Sequence, residues 1–230
     1  LIQPPNIRSS RELAELHGIK VLVYGASGVG KTVLTSTAPA PLLISTESGI
    51  LSLRNHDVAT VEINNLADLY AIHQWCAGAQ EAKQFQTICL DSISEIGEVC
   101  LSAEKSKTKD PRKAYGELID NMQLLIKAFR DLSGFNVYFS AKMERVKDEA
   151  VGSERNQPSM PGSNLGPALP YLFDEVFHMG IGKDTDGKSY RYLQTEPDYL
   201  HDAKDRSGAL DAMEPPDLTH IFDKINGAVK

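Results

Sequence analysis

Residues 25–32 read Gly25-Ala26-Ser27-Gly28-Val29-Gly30-Lys31-Thr32, a complete match to the phosphate-binding pattern G-x-x-x-x-G-K-[ST]. The spacing serves one chemistry. Glycines at 25, 28 and 30 are expected to take positive φ and bring backbone N–H groups close to phosphate oxygens. Lys31 then reaches the β- and γ-phosphates of a nucleoside triphosphate, and the Thr32 hydroxyl becomes a ligand for Mg²⁺. A helix opening after the motif adds N–H donors and a partial positive charge.

Such a loop needs a second carboxylate for the metal. Thr87-Ile88-Cys89-Leu90 reads as a buried strand delivering Asp91 to the carboxyl edge of a sheet, where ligands of open α/β folds sit. Asp91-Ser92 also precedes an apolar helical pattern, so the competing role for Asp91 is a helix cap. Hydrolysis further requires a group to activate water. Glu47, closing the run Pro41-Leu42-Leu43-Ile44-Ser45-Thr46, is the candidate, and Glu95, four residues past Asp91, is its rival.

These residues must be held by alternating strands and helices. Ile19–Tyr24, 41–47 and 85–91 are apolar runs that read as buried strands, and 58–63 reads as an alternating edge strand. Residues 33–37 can open a helix after the loop, and Leu66, Leu69, His73 and Cys76 mark another. Leu118, Ile119, Met122, Leu125, Ile126, Phe129 and Leu132 keep a helical stripe across 113–132, ended by Gly134. Strands follow at 136–141, 175–181 and 189–195, the last two joined by the turn Asp184-Thr185-Asp186-Gly187, and 218–225 closes as a helix. Residues 143–167 lose periodicity and read as a long loop, functional or disordered. The pattern predicts an α/β fold: a mostly parallel central sheet with helices on both faces and a late β-hairpin extension. Residues 1–18 form an N-terminal arm, either docked on a neighbouring subunit or loosely held, and 19–230 form one core domain.

Composition narrows the setting. A net charge of −7 argues against a wholly basic nucleic-acid-coating surface, while leaving room for a local basic groove. No apolar run reaches the length of a membrane span and no signal-peptide pattern is visible, so no membrane partner is expected. Three cysteines without metal-ligand spacing fit a reducing cytoplasm. His73 and Cys76 lie one helical turn apart, a spacing expected of a helix face rather than a metal site.

The order of motifs resembles the RecA/RadA recombinase core: P-loop strand, then Ser45-Thr46-Glu47, then Leu90-Asp91-Ser92. The resemblance covers most of residues 15–210 and is strongest to short, phage-encoded RecA-like ATPases, including those acting as single-strand annealing proteins. It implies a RecA-like fold, ATP and Mg²⁺ as ligands, and a homo-oligomeric ring or filament on single-stranded DNA, with a single-strand DNA-binding protein as a further partner. The setting implied is cytoplasmic, in the host cell if phage-encoded. It casts Glu47 as the catalytic carboxylate. It places Lys142 where the family carries a polar γ-phosphate sensor, typically Gln, so the sensor here departs from the pattern.

Two further elements follow from the resemblance. One DNA-binding loop falls around 103–115, with Lys105, Lys107, Lys109, Arg112 and Lys113, and a second at 143–163, with Arg145, Lys147 and Arg155. Ala203-Lys204-Asp205-Arg206-Ser207-Gly208 looks like the Lys-x-Arg-x-Gly element that reaches an adjacent subunit's nucleotide. Arg206 is then an arginine finger, with Lys204 beside it. The readings that compete with a DNA-linked ATPase are an ATP-switched scaffold without turnover, a P-loop kinase, and a helicase-like motor.

Overall fold

The computed structural model describes residues 7–46, 51–147, 152 and 154–227. It opens with helix α1 (Ser10–His17). The Glu12 amide donates to Ser9 Oγ and the Ser9 amide to Glu12 Oε2, a reciprocal cap that starts this helix. The Gly134 amide donates to the Leu16 carbonyl at 2.9 Å, tying the helix to the domain.

Strand β1 (Lys20–Gly25) is buried along its whole length and leads into the P-loop. Helix α2 (Lys31–Leu34) is only four residues long and passes into a 3₁₀ turn at Thr35–Thr37. The Thr and Ser hydroxyls at 35, 36 and 37 bond back to carbonyls three residues earlier, which favours the tighter turn. Next come β2 (Pro41–Ser45), β3 (Ala59–Glu62), α3 (Leu66–Gly78), β4 (Thr87–Asp91), α4 (Ile93–Lys107) and α5 (Pro111–Arg130). Asn65, Ser92 and Asp110 cap the three helices, each accepting a backbone N–H from the first turn. Strand β5 (Asn136–Lys147) pairs with β6 (Glu154–Ser159), and after α6 (Leu165–Ala168) come β7 (Glu175–Lys183), β8 (Ser189–Gln194), β9 (Lys204–Asp205), β10 (Met213–Glu214) and α7 (Leu218–Ile225).

The sheet runs β10-β8-β7-β1-β5-β4-β2-β3, with β6 added to β5 and β9 to β7. From β3 through β7 the neighbours are parallel; β6, β8, β9 and β10 are antiparallel. This is the expected fold class, a mostly parallel sheet between helices. One face packs under α3, α4 and α5, through Leu69, Ile96, Cys100, Leu118, Met122, Ile126 and Phe129. The other packs under α2 and α7, through Leu34, Leu218, Ile221 and Phe222. Each large apolar side chain so buried contributes about 1.5–3 kcal/mol.

Two segments read as loops are ordered differently. Residues 103–115 span the end of α4, a short turn and the start of α5, so Lys105 and Lys107 stand on a helix. Residues 143–147 and 154–159 are the outer half of β5 and its partner β6, an antiparallel pair extending past the carboxyl edge of the sheet. Its strands carry Glu, Arg, Asn and Gln, and the short α6 packs against them through Gly166 at the Pro158 carbonyl, so the apolar pattern of a core strand is missing. The three cysteines are free and buried. His73 bonds the Ala128 carbonyl and meets Phe129 edge-on.

Candidate nucleotide site

The P-loop leaves β1 at the carboxyl edge. Gly28 and Gly30 have φ of 76° and 115°, which side-chain-bearing residues rarely adopt. Gly25 corrects the expectation. Its φ is not positive, and glycine is needed because an added Cβ would lie 2.6 Å from the Met179 carbonyl of β7. The constraint comes from the neighbouring strand.

The Lys31 ammonium lies in the mouth of the loop, donating to the Gly25 and Ala26 carbonyls at 2.8 and 3.0 Å. The buried Tyr138 hydroxyl donates to the Lys31 carbonyl at 2.9 Å, tying the start of α2 to β5. A cavity of about 710 Å³ opens beside the loop, lined by Gly25, Ser27, Gly28, Gly30, Lys31 and Thr32 together with Asp91, Lys142 and Arg191. Thr32 and Asp91 therefore share one cavity.

Asp91 is 8% exposed, and its Oδ1 accepts the hydroxyl of Ser140 on β5. The helix-cap role belongs to Ser92, which accepts the Glu95 amide. That leaves the Asp91 carboxylate at the cavity. The donor set fits a nucleotide and a hard divalent cation: backbone amides at two positive-φ glycines, an ammonium, a hydroxyl and a carboxylate.

Lys142 stands level with Gly25 in the β1–β5 register and lines the cavity. Its ammonium pairs with Glu95, and its amide donates to Ser94 Oγ. The rival carboxylate is thus held in an ion pair beside the site. Glu47 lies outside the described residues; Ser45, two positions earlier, is level with Asp91.

The two cationic segments meet on one side of the molecule. Ser94 Oγ donates to the Ser159 carbonyl, Gly97 is packed against Pro161, and Gly162 against the Tyr115 ring. Lys105, Lys107, Lys109, Arg112 and Lys113 are exposed. Lys107 is paired with the buried Glu104 at 2.7 Å, and Lys105 lies 5.5 Å from the Tyr115 ring centre. On the β5–β6 hairpin, Arg145 pairs with Glu154 and Arg155 with Asp202. The register sets Arg145 and Lys147 on one face and Arg155 on the other.

Lys204 and Arg206 are not brought to this cavity. Strand β9 pairs with the start of β7 at Glu175 and Val176, the opposite edge of the sheet from Gly25. Lys204 donates to the Pro170 and Phe173 carbonyls, so its ammonium is engaged in holding the chain after α6. Arg206 is exposed and pairs with Asp174 at 3.0 Å. Its turn is organised by Asp205, which accepts the Gly208 and Leu210 amides, and by Glu175, which accepts the Ser207 amide.

Ser140, Tyr138 and Arg191 were missed in the sequence. The polar Ser140 inside an otherwise apolar strand was the one available signal for the first. Among the described residues there is no cluster of His, Cys, Asp and Glu able to hold a metal ion by itself, and no helix long and apolar enough to cross a membrane.

A protein-family model described as AAA domain matches residues 17–207. Among solved structures, the KaiC-like protein PH0186 from the hyperthermophilic archaeon Pyrococcus horikoshii OT3 is 15% identical, over 78% of this chain and 82% of that one, with a TM-score of 0.45. The flagellar accessory protein FlaH from Methanocaldococcus jannaschii is 13% identical, over 82% and 85%, with a TM-score of 0.42. No curated protein matches.

Proposed function

The chain belongs to the AAA domain family, and we propose that it is a Mg²⁺-dependent ATPase that assembles on single-stranded DNA and promotes recombination or annealing. The observation that carries the reading is the single cavity shared by the P-loop, Thr32 and Asp91. Thr32 and Asp91 would hold Mg²⁺, which when bound neutralises charge on the β- and γ-phosphates. The P-loop amides and Lys31 hold the phosphates in line for attack. Glu47 takes a proton from the attacking water, and Lys142, which lines the cavity beside Glu95, would contact the γ-phosphate. Arg206 of a neighbouring copy supplies charge to the transition state.

The DNA part rests on the cations of the α4–α5 turn together with Arg145 and Lys147 of the β5–β6 hairpin, Arg155 lying on the hairpin's other face. With Tyr115 beside them, they suit a sequence-tolerant track for a phosphate backbone.

Turnover of purified protein with and without single-stranded DNA, beside Lys31→Ala, tests the reading. Expected are DNA-stimulated hydrolysis by the wild type and none by the variant. Normal turnover by Lys31→Ala overturns the site. Hydrolysis indifferent to DNA that the protein does not bind overturns the DNA assignment.

A further inference from the structure

We propose that Arg191 is a phosphate-contacting residue supplied by the same chain, reaching the nucleotide from the β7–β8 hairpin; this rests on the nucleotide reading above. Strand β1 ends its pairing with β7 at Tyr24–His178, but β7 continues to Lys183 and β8 returns beside it. Arg191 pairs with Ile181, three residues past His178. At about 3.3 Å per residue that is roughly 10 Å beyond the end of that pairing, so the hairpin overhangs the loop.

Alternation decides which side chains face the cavity. Met179, Ile181, Arg191 and Leu193 share one face, while Tyr190 and Tyr192 lie on the other, over Gly182 and Gly180. Met179 and Leu193 are buried in the same core as Val29 and Leu34, which fixes the hairpin against the P-loop.

Arg191 Nε donates to the Val29 carbonyl at 2.7 Å. An added Cβ on Gly30 would lie 3.3 Å from that Nε and 3.4 Å from Cδ, so the arginine stem covers the last glycine of the loop. One edge of the guanidinium is spent on the loop backbone, which leaves the two Nη groups as further donors on a residue that lines the cavity with Lys31 and Thr32. Arg130, Arg145, Arg155 and Arg206 each pair with a carboxylate. Among the described residues Arg191 has no such pair, as is also true of the exposed Arg8, Arg54 and Arg112, but of these four it is the one that lines the cavity. A guanidinium anchored at Nε beside a cavity that Lys31 also lines suits a polyanion, and its planar fork matches phosphate oxygens.

The geometry also supplies the test. A glutamine places its amide nitrogen as many bonds from Cα as arginine places Nε. Arg191→Gln therefore retains a donor for Val29 while removing the fork and the charge. Arg191→Lys retains charge without the fork. Binding of fluorescent ATP and ADP analogues, with Mg²⁺, is measured for all three proteins, together with thermal midpoints without nucleotide.

The expected result is an Arg191→Gln affinity weakened about tenfold or more for both nucleotides, as for a lost charge-assisted hydrogen bond. The midpoint should be unchanged, and Arg191→Lys should recover part of the affinity. Wild-type binding with equal affinity in Arg191→Gln overturns the proposal while leaving the nucleotide site intact. No binding by the wild type overturns both. If Arg191→Gln lowers the midpoint, Arg191→Lys decides: affinity no better than Arg191→Gln overturns the proposal, and partial recovery supports it.

Discussion

Removing the Arg206 guanidinium should stop turnover without disturbing the fold or nucleotide binding. Asp205 pairs with Glu175, and Tyr24, the residue before Gly25, pairs with His178. The finger turn and the P-loop are thus four residues apart along the strands, roughly 13 Å, and two strand spacings, roughly 9–10 Å, across. The separation of about 16 Å exceeds the ~7 Å span of an arginine side chain, even measured from the turn's strand rather than from Arg206 beyond it. A finger at Arg206 would therefore have to serve the nucleotide of another copy. Its pair with Asp174 is exposed on both sides, so Arg206→Ala should change stability by about 1 kcal/mol or less. A transition-state arginine is worth about 10³–10⁵ in kcat, so hydrolysis should fall to background while ATP binding by the isolated subunit is retained.

Mixing supplies the discriminating assay. In a one-to-one mixture of Arg206→Ala and Lys31→Ala subunits that co-assemble at random, about one interface in four pairs an intact loop with an intact finger across a head-to-tail contact. Activity should recover to about a quarter of wild type in steady-state phosphate release. Full activity of Arg206→Ala alone refutes any finger at this position. No recovery at any mixing ratio, with co-assembly shown by cross-linking, refutes action in trans.

Glu47→Gln should bind ATP and stall hydrolysis in a single-turnover assay, whereas Glu95→Gln, which breaks only the pair with Lys142, should retain most of it; the reverse pattern reassigns the water-activating carboxylate. Replacing Lys105, Lys109 and Lys113 together with Ala should weaken single-stranded DNA binding and flatten its salt dependence, read by fluorescence anisotropy across a salt series, and an unchanged slope returns this helix turn to plain solvated surface. Burial, then the negative charge of Asp205, pushes Glu175 up to about 8, so the folded state holds a proton that the unfolded state releases near 4.5. Stability from this group is complete below about pH 4.5 and declines towards pH 8 by at most ~1.4 kcal/mol per unit. Glu175→Gln keeps the acceptor for the Ser207 amide, so its melting temperature should gain on wild type as pH rises from 5 to 8; parallel pH profiles would refute the shift.

The nucleotide loop was legible in the chain because it is local. Eight consecutive residues carry its amides, ammonium and hydroxyl, and the strand before it carries the apolar run Val21-Leu22-Val23-Tyr24. Asp91 was legible for a related reason, since a buried strand announces itself by its side chains and delivers its last residue to a predictable edge. Strand β7 and its hairpin partner β8 followed from periodicity and the Asp184–Gly187 turn.

What the chain hid was whatever depends on a partner distant in sequence. Gly25 is required by the Met179 carbonyl of β7, and Arg191 reaches Val29 across 162 positions. Lys204 reads as half of a finger, yet the fold uses its ammonium to satisfy two carbonyls. Strand β6 hides its alternation because its inward positions are Asn156 and Pro158, buried without being large apolar side chains. Local spacing specifies a phosphate loop because its contacts are backbone contacts of neighbouring residues. The side chains that surround it are chosen by strand order and register, and those exist only once the sheet has formed.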